Sequence, residues 1–257
     1  MKIIVGVDFS ESSENAILHA SIWAKKYIAK LILVHTYLPM TVDPTIPVGS
    51  IEILQLEHIN ELNEKLTIKS RQIQESGIKT SFKVVVGDVK YALLEAIKEE
   101  NADLLFVGKT HNPNFIERLI GSNAQHLLNA MNVPILVIPQ NAPPNEPKVI
   151  SYATEGEFIE DDLIKNATLI ADKFRAKLHL FTVKTKDVVT VKEEPDIDYI
   201  SAPNILEGIT KYIDKVNSDL LILVSHRRGL LDGLLVPSKS KMLISTIKTP
   251  ILIYHFT

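Results

Sequence analysis

The sequence predicts an α/β protein made of two tandem, doubly wound domains, each built on a five-stranded parallel sheet. Short β-rich apolar runs alternate with amphipathic helical segments, which is typical of a parallel sheet with helices on both faces. Residues 139–147 then hold four prolines, and the same alternation starts again beyond them. We therefore expect a first domain at residues 1–140, a stiff linker at 141–147 and a second, shorter domain at 148–257.

The first domain contains five predicted strands and four predicted helices. Ser10 is the expected N-cap of the first helix, because acidic residues follow it in the first turn. The second helix is expected to run from Ile51 to the C-cap residue Gly77, after an irregular loop over residues 38–50. Asp88 is the expected cap of the third helix. The predicted strands are Lys2–Val7, Leu31–Tyr37, Ser81–Val86, Asp103–Gly108 and Ile135–Ile138.

The second domain repeats the first in three registers. Lys148 matches Lys2 at an offset of 146, and Ala176-Lys-Leu-His-Leu matches Ala29-Lys-Leu-Ile-Leu at 147. At an offset of 116, Asn217-Ser-Asp-Leu-Leu matches Asn101-Ala-Asp-Leu-Leu. Matches in the same order along both copies indicate a duplication. Because residues 184–195 replace residues 38–79, we expect the second domain to lack the long second helix.

The composition argues against several classes of protein. The chain has 257 residues, 46% of them hydrophobic, and a net charge of −3, so it gives no electrostatic reason to expect nucleic acid. It has no cysteine, which excludes disulfides and thiolate metal sites. The first apolar run meets Asp8 too early for a signal peptide or a membrane span. We therefore expect a cytoplasmic protein with no membrane partner.

A pair of glycine positions marks the candidate site. Gly108 ends the fourth strand, and Gly121-Ser122 opens the next helix thirteen residues later. Backbone N–H groups at such positions, together with the helix dipole, can bind one phosphate chain. The same residues also fit purely structural roles, since glycine commonly ends strands and serine commonly caps helices.

Nothing in the sequence predicts a dedicated enzyme. The eight histidines are scattered and show no metal-binding spacing. Neither a Gly-x-Ser-x-Gly nucleophile elbow nor a Walker-A loop is present. No pair of carboxylates is recognisably placed for acid–base catalysis. We expect no catalytic and no metal-ligating residue.

These features together resemble the universal stress protein family in its tandem two-domain form. The resemblance covers nearly the whole chain, and it rests on Lys2-Ile-Ile-Val-Gly-Val-Asp8-Phe-Ser10, on Leu33-Val-His35 and on residues 101–139. Nucleotide-binding members carry Gly-x2-Gly-x9-Gly-Ser/Thr between strands four and five. Here Gly108-Lys-Thr-His111 precedes Gly121-Ser122 with nine residues between them, so the spacing is kept and His111 replaces the middle glycine.

The resemblance implies a sheet like that of the adenine nucleotide alpha hydrolases, with strand order 3-2-1-4-5. Ligands bind such sheets where the order reverses, here between strands one and four. Asp8 and the backbone around Val34 would hold the base and ribose of an adenine nucleotide. Backbone N–H groups after strand four and at the start of the following helix would hold its phosphates, with Mg²⁺. The implied nucleotide-binding set is Asp8, Phe9, Ser10, Val34, Gly108, Lys109, His111, Gly121, Ser122 and Asn123.

The second domain departs from the motif. Val224-Ser-His-Arg227 and Pro237-Ser238 keep no motif glycine, and Thr154 stands where the first domain has Asp8. We therefore expect the nucleotide in the first domain. Two interpretations of His111 stay open: its side chain blocks the approach of a phosphate, or its imidazole donates to one. Asp8 also has two interpretations, because its side chain either binds the nucleotide or only starts the turn into the capped helix.

The resemblance implies a stress-response or regulatory protein that binds ATP, ADP or AMP, with at most slow hydrolysis. Two other classes stay open, namely a nucleotide-free assembly protein and a binder of another small anionic or lipid-like ligand.

The resemblance also implies that the fifth strands, Ile135–Ile138 and Ile251–Tyr254, pair edge to edge. The chain would then be an intramolecular pseudo-dimer, and a further homodimer stays open. Electron-transfer flavoproteins and ATP-pyrophosphatases use related sheets. The Ser-Gly-Gly-x-Asp-Ser loop of the ATP-pyrophosphatases is absent after strand one.

Overall fold

The computed structural model describes residues 1–39, 48–109, 133–154, 161–185, 195–225 and 246–255. Their strands form one sheet of ten, in the order β3-β2-β1-β4-β5-β10-β9-β6-β7-β8. The strands are β1 (Lys2–Val7), β2 (Lys30–Tyr37), β3 (Thr80–Val86), β4 (Leu104–Lys109), β5 (Ile135–Pro139), β6 (Val149–Ala153), β7 (Lys177–Lys184), β8 (Ile197–Ser201), β9 (Leu220–Ser225) and β10 (Ile251–His255). The helices are α1 (Glu11–Tyr27), α2 (Val48–Glu75), α3 (Val89–Glu100), α4 (Asp161–Phe174) and α5 (Ile205–Val216).

The predicted α/β class and strand order are confirmed. Strands β1 to β5, the amino half, follow the order 3-2-1-4-5, and strands β6 to β10, the carboxyl half, repeat it. Within each half all neighbouring strands are parallel. The domain boundaries at residues 140 and 148 stay a prediction.

The two halves join through their fifth strands, as predicted. β5 and β10 pair antiparallel, with Leu136 opposite Leu252. Each of these strands would otherwise be an apolar sheet edge, and their pairing removes both edges. One continuous sheet therefore replaces the two separate sheets of the tandem domains.

Local sequence signals set the ends of the helices. The Ser10 side chain accepts a hydrogen bond from the Ser13 N–H, and Asp88 accepts one from the Lys90 N–H, so both predicted caps are confirmed. Helix α2 begins at Val48, three residues before the predicted Ile51. The helix predicted after Gly121 lies outside the described residues.

The repeated Asn-x-Asp segments have a structural explanation. Asn101 and Asn217 end α3 and α5 in the left-handed conformation, with φ of 49° and 51°. Asparagine tolerates that conformation better than most residues do. Two residues later, Asp103 accepts a hydrogen bond from the Lys2 N–H at 2.7 Å. Asp219 accepts from the N–H groups of Lys148 and Val149 at 2.8 and 2.9 Å. Both copies thus tie the start of the first strand to the start of the fourth.

Two apolar layers cover the sheet and run through both halves. One layer includes residues of α3 and α5, and the other includes residues of α1, α2 and α4. At the seam between the halves, the Trp23 ring of α1 lies 5.0 Å from the Phe174 ring of α4. The Lys26 ammonium lies over Phe174, and the Lys173 ammonium lies over Tyr27. The seam is therefore packed by side chains as well as paired by strands.

The carboxyl half has no counterpart of α2 among its described residues. Strand β7 ends at Lys184 and β8 begins at Ile197, so only the short segment 185–196 connects these two strands. A helix as long as α2, with 28 residues, does not fit in that segment. None of the helices in the described part of the chain is long and apolar enough to cross a membrane.

Ile28 supplies a test of backbone strain. It follows α1 with φ of 53° and is 93% exposed, so its β-branched side chain gains little from burial to offset the left-handed conformation. We expect Ile28→Gly to raise the free energy of unfolding by about 1 kcal/mol in urea titrations. Ile28→Ala, which keeps a Cβ, should gain clearly less. Equal values for the two variants would contradict this explanation.

Candidate functional site

The sheet register brings the ends of β1 and β4 together. Gly6 pairs with Val107, so Asp8, two residues further on, lies level with Lys109. On the other side Val7 pairs with His35, which places Asp8 level with Thr36 of β2. Strand order reverses between β1 and β4, and ligands bind open α/β sheets at such a point. The structure thus brings Asp8, Phe9, Gly108 and Lys109 to one edge.

The loop after β1 is a compact turn. The Asp8 carboxylate accepts hydrogen bonds from the Ser10 N–H at 3.0 Å and from the Ser10 hydroxyl at 2.5 Å. Between them Phe9 adopts a φ of 61°, which is rare for an aromatic residue. Asp8 therefore does begin the turn into the capped helix α1, which is the structural role that the sequence left open for it. Asp8 is nevertheless exposed, so its carboxylate can also meet solvent or a ligand.

Gly108 is required by packing. A Cβ at this position would lie 2.3 Å from the backbone carbon and oxygen of Ser12 and 2.6 Å from the Ser13 nitrogen. The first turn of α1 therefore lies directly against the end of β4. The Ser12 hydroxyl donates to the Lys109 carbonyl at 2.7 Å and fixes this contact. A glycine at 108 is explained without a ligand, so its presence alone does not indicate one.

Lys109 reaches toward the carboxyl half. Its ammonium lies 3.5 Å from the carbonyl oxygen of Ile247, just before β10. The side chain is partly buried, and burial lowers the pKa of Lys109 because it disfavours the charged form. The residue predicted to meet phosphate thus also contacts the other half of the molecule.

Val34 lies deeper than the predicted site. It pairs with Gly6 on one side and Lys83 on the other, and its side chain is buried. It lies two positions before the level of Asp8, and the predicted role of the backbone around it stays a prediction. Pairing between β1 and β2 stops at His35, so the β2 backbone beyond β1 begins at Thr36.

Helix α2 adds residues that the sequence did not predict for the site. The Phe9 ring lies 4.9 Å from the His35 ring, and the Lys65 ammonium lies 5.8 Å from the centre of the Phe9 ring. The His58 ring lies 5.2 Å from the ring of Tyr37, at the end of β2. His58 and Lys65 are two turns apart on α2, so they share one face of the helix. The seven-residue spacing of His58 and Lys65 was the sequence signal that places both residues on one face of the helix.

His35 anchors this cluster. Its Nδ1 lies 2.7 Å from the Val7 carbonyl oxygen, and the ring is partly buried. Burial lowers the pKa of His35, and the charges of His58 and Lys65 lower it further, while the Val7 hydrogen bond and Asp8 act in the opposite direction. The ring is therefore predominantly neutral at pH 7.

The corresponding edge of the carboxyl half is different. Thr154 holds the place of Asp8, and its carbonyl accepts a hydrogen bond from the Thr182 hydroxyl at 2.8 Å. No carboxylate follows β6 at that position. His111, Gly121, Ser122 and Asn123 of the predicted set, and Arg227, Pro237 and Ser238 of the second copy, lie outside the described residues.

A separate cavity of about 130 Å³ lies at the seam between the halves. His19 and Trp23 of α1 line it, together with Asp219 and Lys248 of the carboxyl half and residues of the proline-rich linker. His19 is buried, and its Nε2 lies 3.3 Å from the Ala142 carbonyl oxygen. Among the described residues, no group of three histidines or carboxylates is placed to hold a metal ion.

The Gly108 contact predicts a steric loss of stability. Gly108→Ala should lower the free energy of unfolding by about 2 kcal/mol, because backbone atoms of α1 must move. Gly77→Ala is the control, since its φ is 84° and nothing lies within 4 Å of the added Cβ. That variant should lose only about 1 kcal/mol, from backbone strain. A smaller loss for Gly108→Ala than for Gly77→Ala in urea titrations would contradict the packing explanation.

The lowered pKa of His35 predicts a loss of stability in acid. Because the folded-state pKa lies below the ordinary value of 6.5, the unfolded chain takes up the proton first as the pH falls. The contribution of the neutral His35 ring to the free energy of unfolding is complete well above pH 6.5. It is lost as the pH falls toward the folded-state pKa of His35. Burial also lowers the pKa of His19, so this residue adds to the same loss of stability in acid.

We therefore expect the free energy of unfolding to fall between pH 7.5 and pH 5, and to fall less steeply in His35→Gln. In the double variant that also carries His19→Gln, the free energy of unfolding should depend still less on pH. Urea titrations at several pH values measure the slopes. Slopes that match the wild-type slope would contradict the assignment to these two histidines.

Comparisons with known proteins agree with the sheet order and the motif. A model of the universal stress protein family matches residues 1–139. A universal stress protein of Methanocaldococcus jannaschii is 24% identical over 151 residues, which cover 53% of this chain and 93% of that protein. Universal stress protein A of Yersinia pestis is 29% identical over 142 residues, which cover 53% and 90%.

Solved structures extend the likeness to the carboxyl half. The crystal structure of a universal stress protein from Archaeoglobus fulgidus gives a TM-score of 0.73 at 15% identity, covering 99% of this chain and 96% of that one. A putative universal stress protein from Pseudomonas aeruginosa gives 0.64 at 15% identity, covering 99% and 92%. At such identities the likeness shows the fold alone. The family match, however, spans more than half of the chain, and the protein therefore belongs to the universal stress protein family.

Proposed function

We propose that this protein binds an adenine nucleotide in its amino half and acts as a cytoplasmic stress-response protein whose signal is occupancy of that site. The observation that carries the proposal is the register of β1 and β4. It places Asp8 level with Lys109 at the point where strand order reverses. An acceptor for ribose hydroxyl groups and a cation for phosphates thus lie side by side.

In this proposal the described residues bind and orient the nucleotide. The exposed Asp8 carboxylate accepts from the ribose, and the β2 backbone beyond β1, from Thr36, meets the base. The N–H groups that follow β4 meet the phosphates, together with Ser122 and Asn123. Bound Mg²⁺ would neutralise part of the phosphate charge. The spacing of Gly108, Gly121 and Ser122 in a chain of this family supports this assignment.

Hydrolysis is at most slow and incidental in this proposal. Asp8 is engaged by Ser10, and burial keeps His35 neutral within a ring cluster. Neither group is placed as a dedicated base for water attack. The site would therefore report nucleotide concentration through binding.

An assembly protein without nucleotide is the second candidate. The Lys109 contact with the Ile247 carbonyl oxygen favours it, because that ammonium already links the two halves. The histidine at position 111 in place of the motif glycine favours it as well. A binder of another small anionic or lipid-like ligand is a third class, which the same experiment addresses.

Gly121→Val tests the site. If the proposal holds, protein purified without added nucleotide and then denatured releases ATP, ADP or AMP, detected by liquid chromatography and mass spectrometry. Gly121→Val should release none and should bind ATP with Mg²⁺ at least about a hundredfold more weakly, because its side chain blocks close approach of the backbone to phosphate.

Pro237→Val is the matched control, since it changes the corresponding position of the carboxyl half, and it should keep the wild-type nucleotide content. Both variants should unfold at the wild-type urea midpoint. Failure to detect nucleotide, together with no binding on titration, would overturn the proposal and favour the assembly protein. Release of a different compound would favour the third class.

A further inference from the structure

The cavity between the two halves, here called the seam cavity, has room for one small ring. Its volume is about 130 Å³, and an engineered cavity of about 150 Å³ in another protein binds benzene. Its walls come from α1, from β5, from the proline-rich linker and from the segments that lead into β9 and β10. All of the residues that line it belong to the described part of the chain. Cavities between domains commonly hold small ligands.

Two polar atoms on the walls of the seam cavity are unpaired. His19 and Trp23 line the cavity, and the two residues are only 5% and 4% exposed. The His19 Nε2 lies 3.3 Å from the Ala142 carbonyl oxygen, which can only accept, so Nε2 carries the proton of the neutral ring. Within the described part of the chain, neither the Nδ1 of His19 nor the indole N–H of Trp23 forms a hydrogen bond.

Both of these nitrogens face open space. Among the described residues, the Ser151 Oγ is the only side-chain nitrogen or oxygen that is both sealed from solvent and unpaired. The two nitrogens are therefore reached by solvent, and the seam cavity is the open space that their nearly buried side chains line. Burial lowers the pKa of His19, so its ring is mostly neutral at pH 7 and Nδ1 accepts a hydrogen bond. The walls thus offer one acceptor and one donor.

The acceptor and the donor are held in place before any ligand binds. His19 and Trp23 are four residues apart on α1, so their side chains are neighbours, with Cβ atoms about 5–6 Å apart. The Trp23 ring packs against Phe106 and Phe174, with ring centres 5.9 and 5.0 Å away. The hydrogen bond to the linker orients the His19 ring. Side chains that are already ordered lose little conformational freedom on binding.

The rest of the wall favours a flat and neutral molecule. Three proline rings and the Trp23 indole present rigid apolar surfaces to the cavity. Lys248 and Asp219 contribute one charge of each sign, and both residues are exposed. The Asp219 carboxylate already accepts hydrogen bonds from two backbone N–H groups. The charges at the wall therefore give no preference for an anion or for a cation.

We propose that the seam cavity is a second ligand site, and that it binds a small neutral cyclic amide such as a free pyrimidine base. The amide N–H donates to the His19 Nδ1, and the adjacent amide C=O accepts from the Trp23 indole N–H. The ring packs against the indole and the proline rings. Such a ligand contacts both halves and the linker, so its binding stabilises their arrangement. This site is separate from the ends of β1 and β4 and does not depend on a nucleotide there.

Uracil is the probe that tests the site, because Trp23 is the only tryptophan of the chain. Its indole N–H gives a single signal in a proton–nitrogen correlation NMR spectrum. We expect uracil to shift that signal saturably, with half-saturation at about 1 mM or below. Uracil methylated on both ring nitrogens keeps its carbonyl groups but has no N–H. It should bind at least about tenfold more weakly, because the His19 Nδ1 then stays unpaired.

Three variants separate the seam cavity from other places where uracil could bind. His19→Phe removes the acceptor and should abolish the shift. Asn166→Phe, at the corresponding and exposed position of α4, is the matched control and should leave the shift unchanged. Gly121→Val, which alters the proposed nucleotide site, should also leave it unchanged. Circular dichroism should show that all three variants are folded.

The proposal is overturned by an indole signal that about 10 mM uracil does not shift, since water alone then fills the cavity. Equal binding of the methylated compound overturns it too, and that comparison needs no variant, so it decides even where His19→Phe does not fold. A shift that survives His19→Phe, or one that Gly121→Val abolishes, would place uracil elsewhere and overturn the proposal as well.

Discussion

The contact between the first turn of α1 and the end of β4 is the constraint on which the rest of the amino half depends. It requires glycine at 108, and the Ser12 hydroxyl holds it through the Lys109 carbonyl. One turn further along, the Asn15 amide donates to the carbonyl groups of Pro139, Gln140 and Ala142. Helix α1 is thereby tied to β4, to β5 and to the start of the linker. This anchorage fixes the turn at Asp8 and the position of the seam.

The sequence predicts the fold well where local signals decide. Ser10 and Asp88 cap helices through their own side chains, and Asn101 ends a helix by tolerating the left-handed conformation. Such signals act within a few residues, so each can be recognised in isolation. The repeat then orders the elements, because a duplicated segment must fold in the same way twice. Strand order and the pairing of β5 with β10 followed from the family resemblance.

The candidate site was harder to predict because its parts meet through the register of distant strands. Val34 lies in the ladder between Gly6 and Lys83, two positions before the level of Asp8. Lys109 contacts Ile247, 138 residues away. His58 and Lys65 reach Phe9 and Tyr37 only because α2 packs over the end of β2. The contact of Lys109 leaves no short-range pattern, and the seven-residue spacing of His58 and Lys65 indicates a shared helix face without indicating what that face contacts. Gly108 shows the converse, since a glycine typical of phosphate binding has a sufficient reason in packing.

Two differences between the copies distinguish the two halves of the molecule. The loss of the α2 counterpart removes the helix that carries His58 and Lys65 to the strand ends, and Thr154 replaces the carboxylate of Asp8. In the part of the carboxyl half that the structure describes, no helix and no carboxylate stand where the amino half has α2 and Asp8. On the sheet face, Leu178 and Leu180 are partly exposed, whereas Leu31 and Leu33 at the corresponding positions are buried. The two copies of one fold therefore differ in how their second strands are covered as well as at their strand ends.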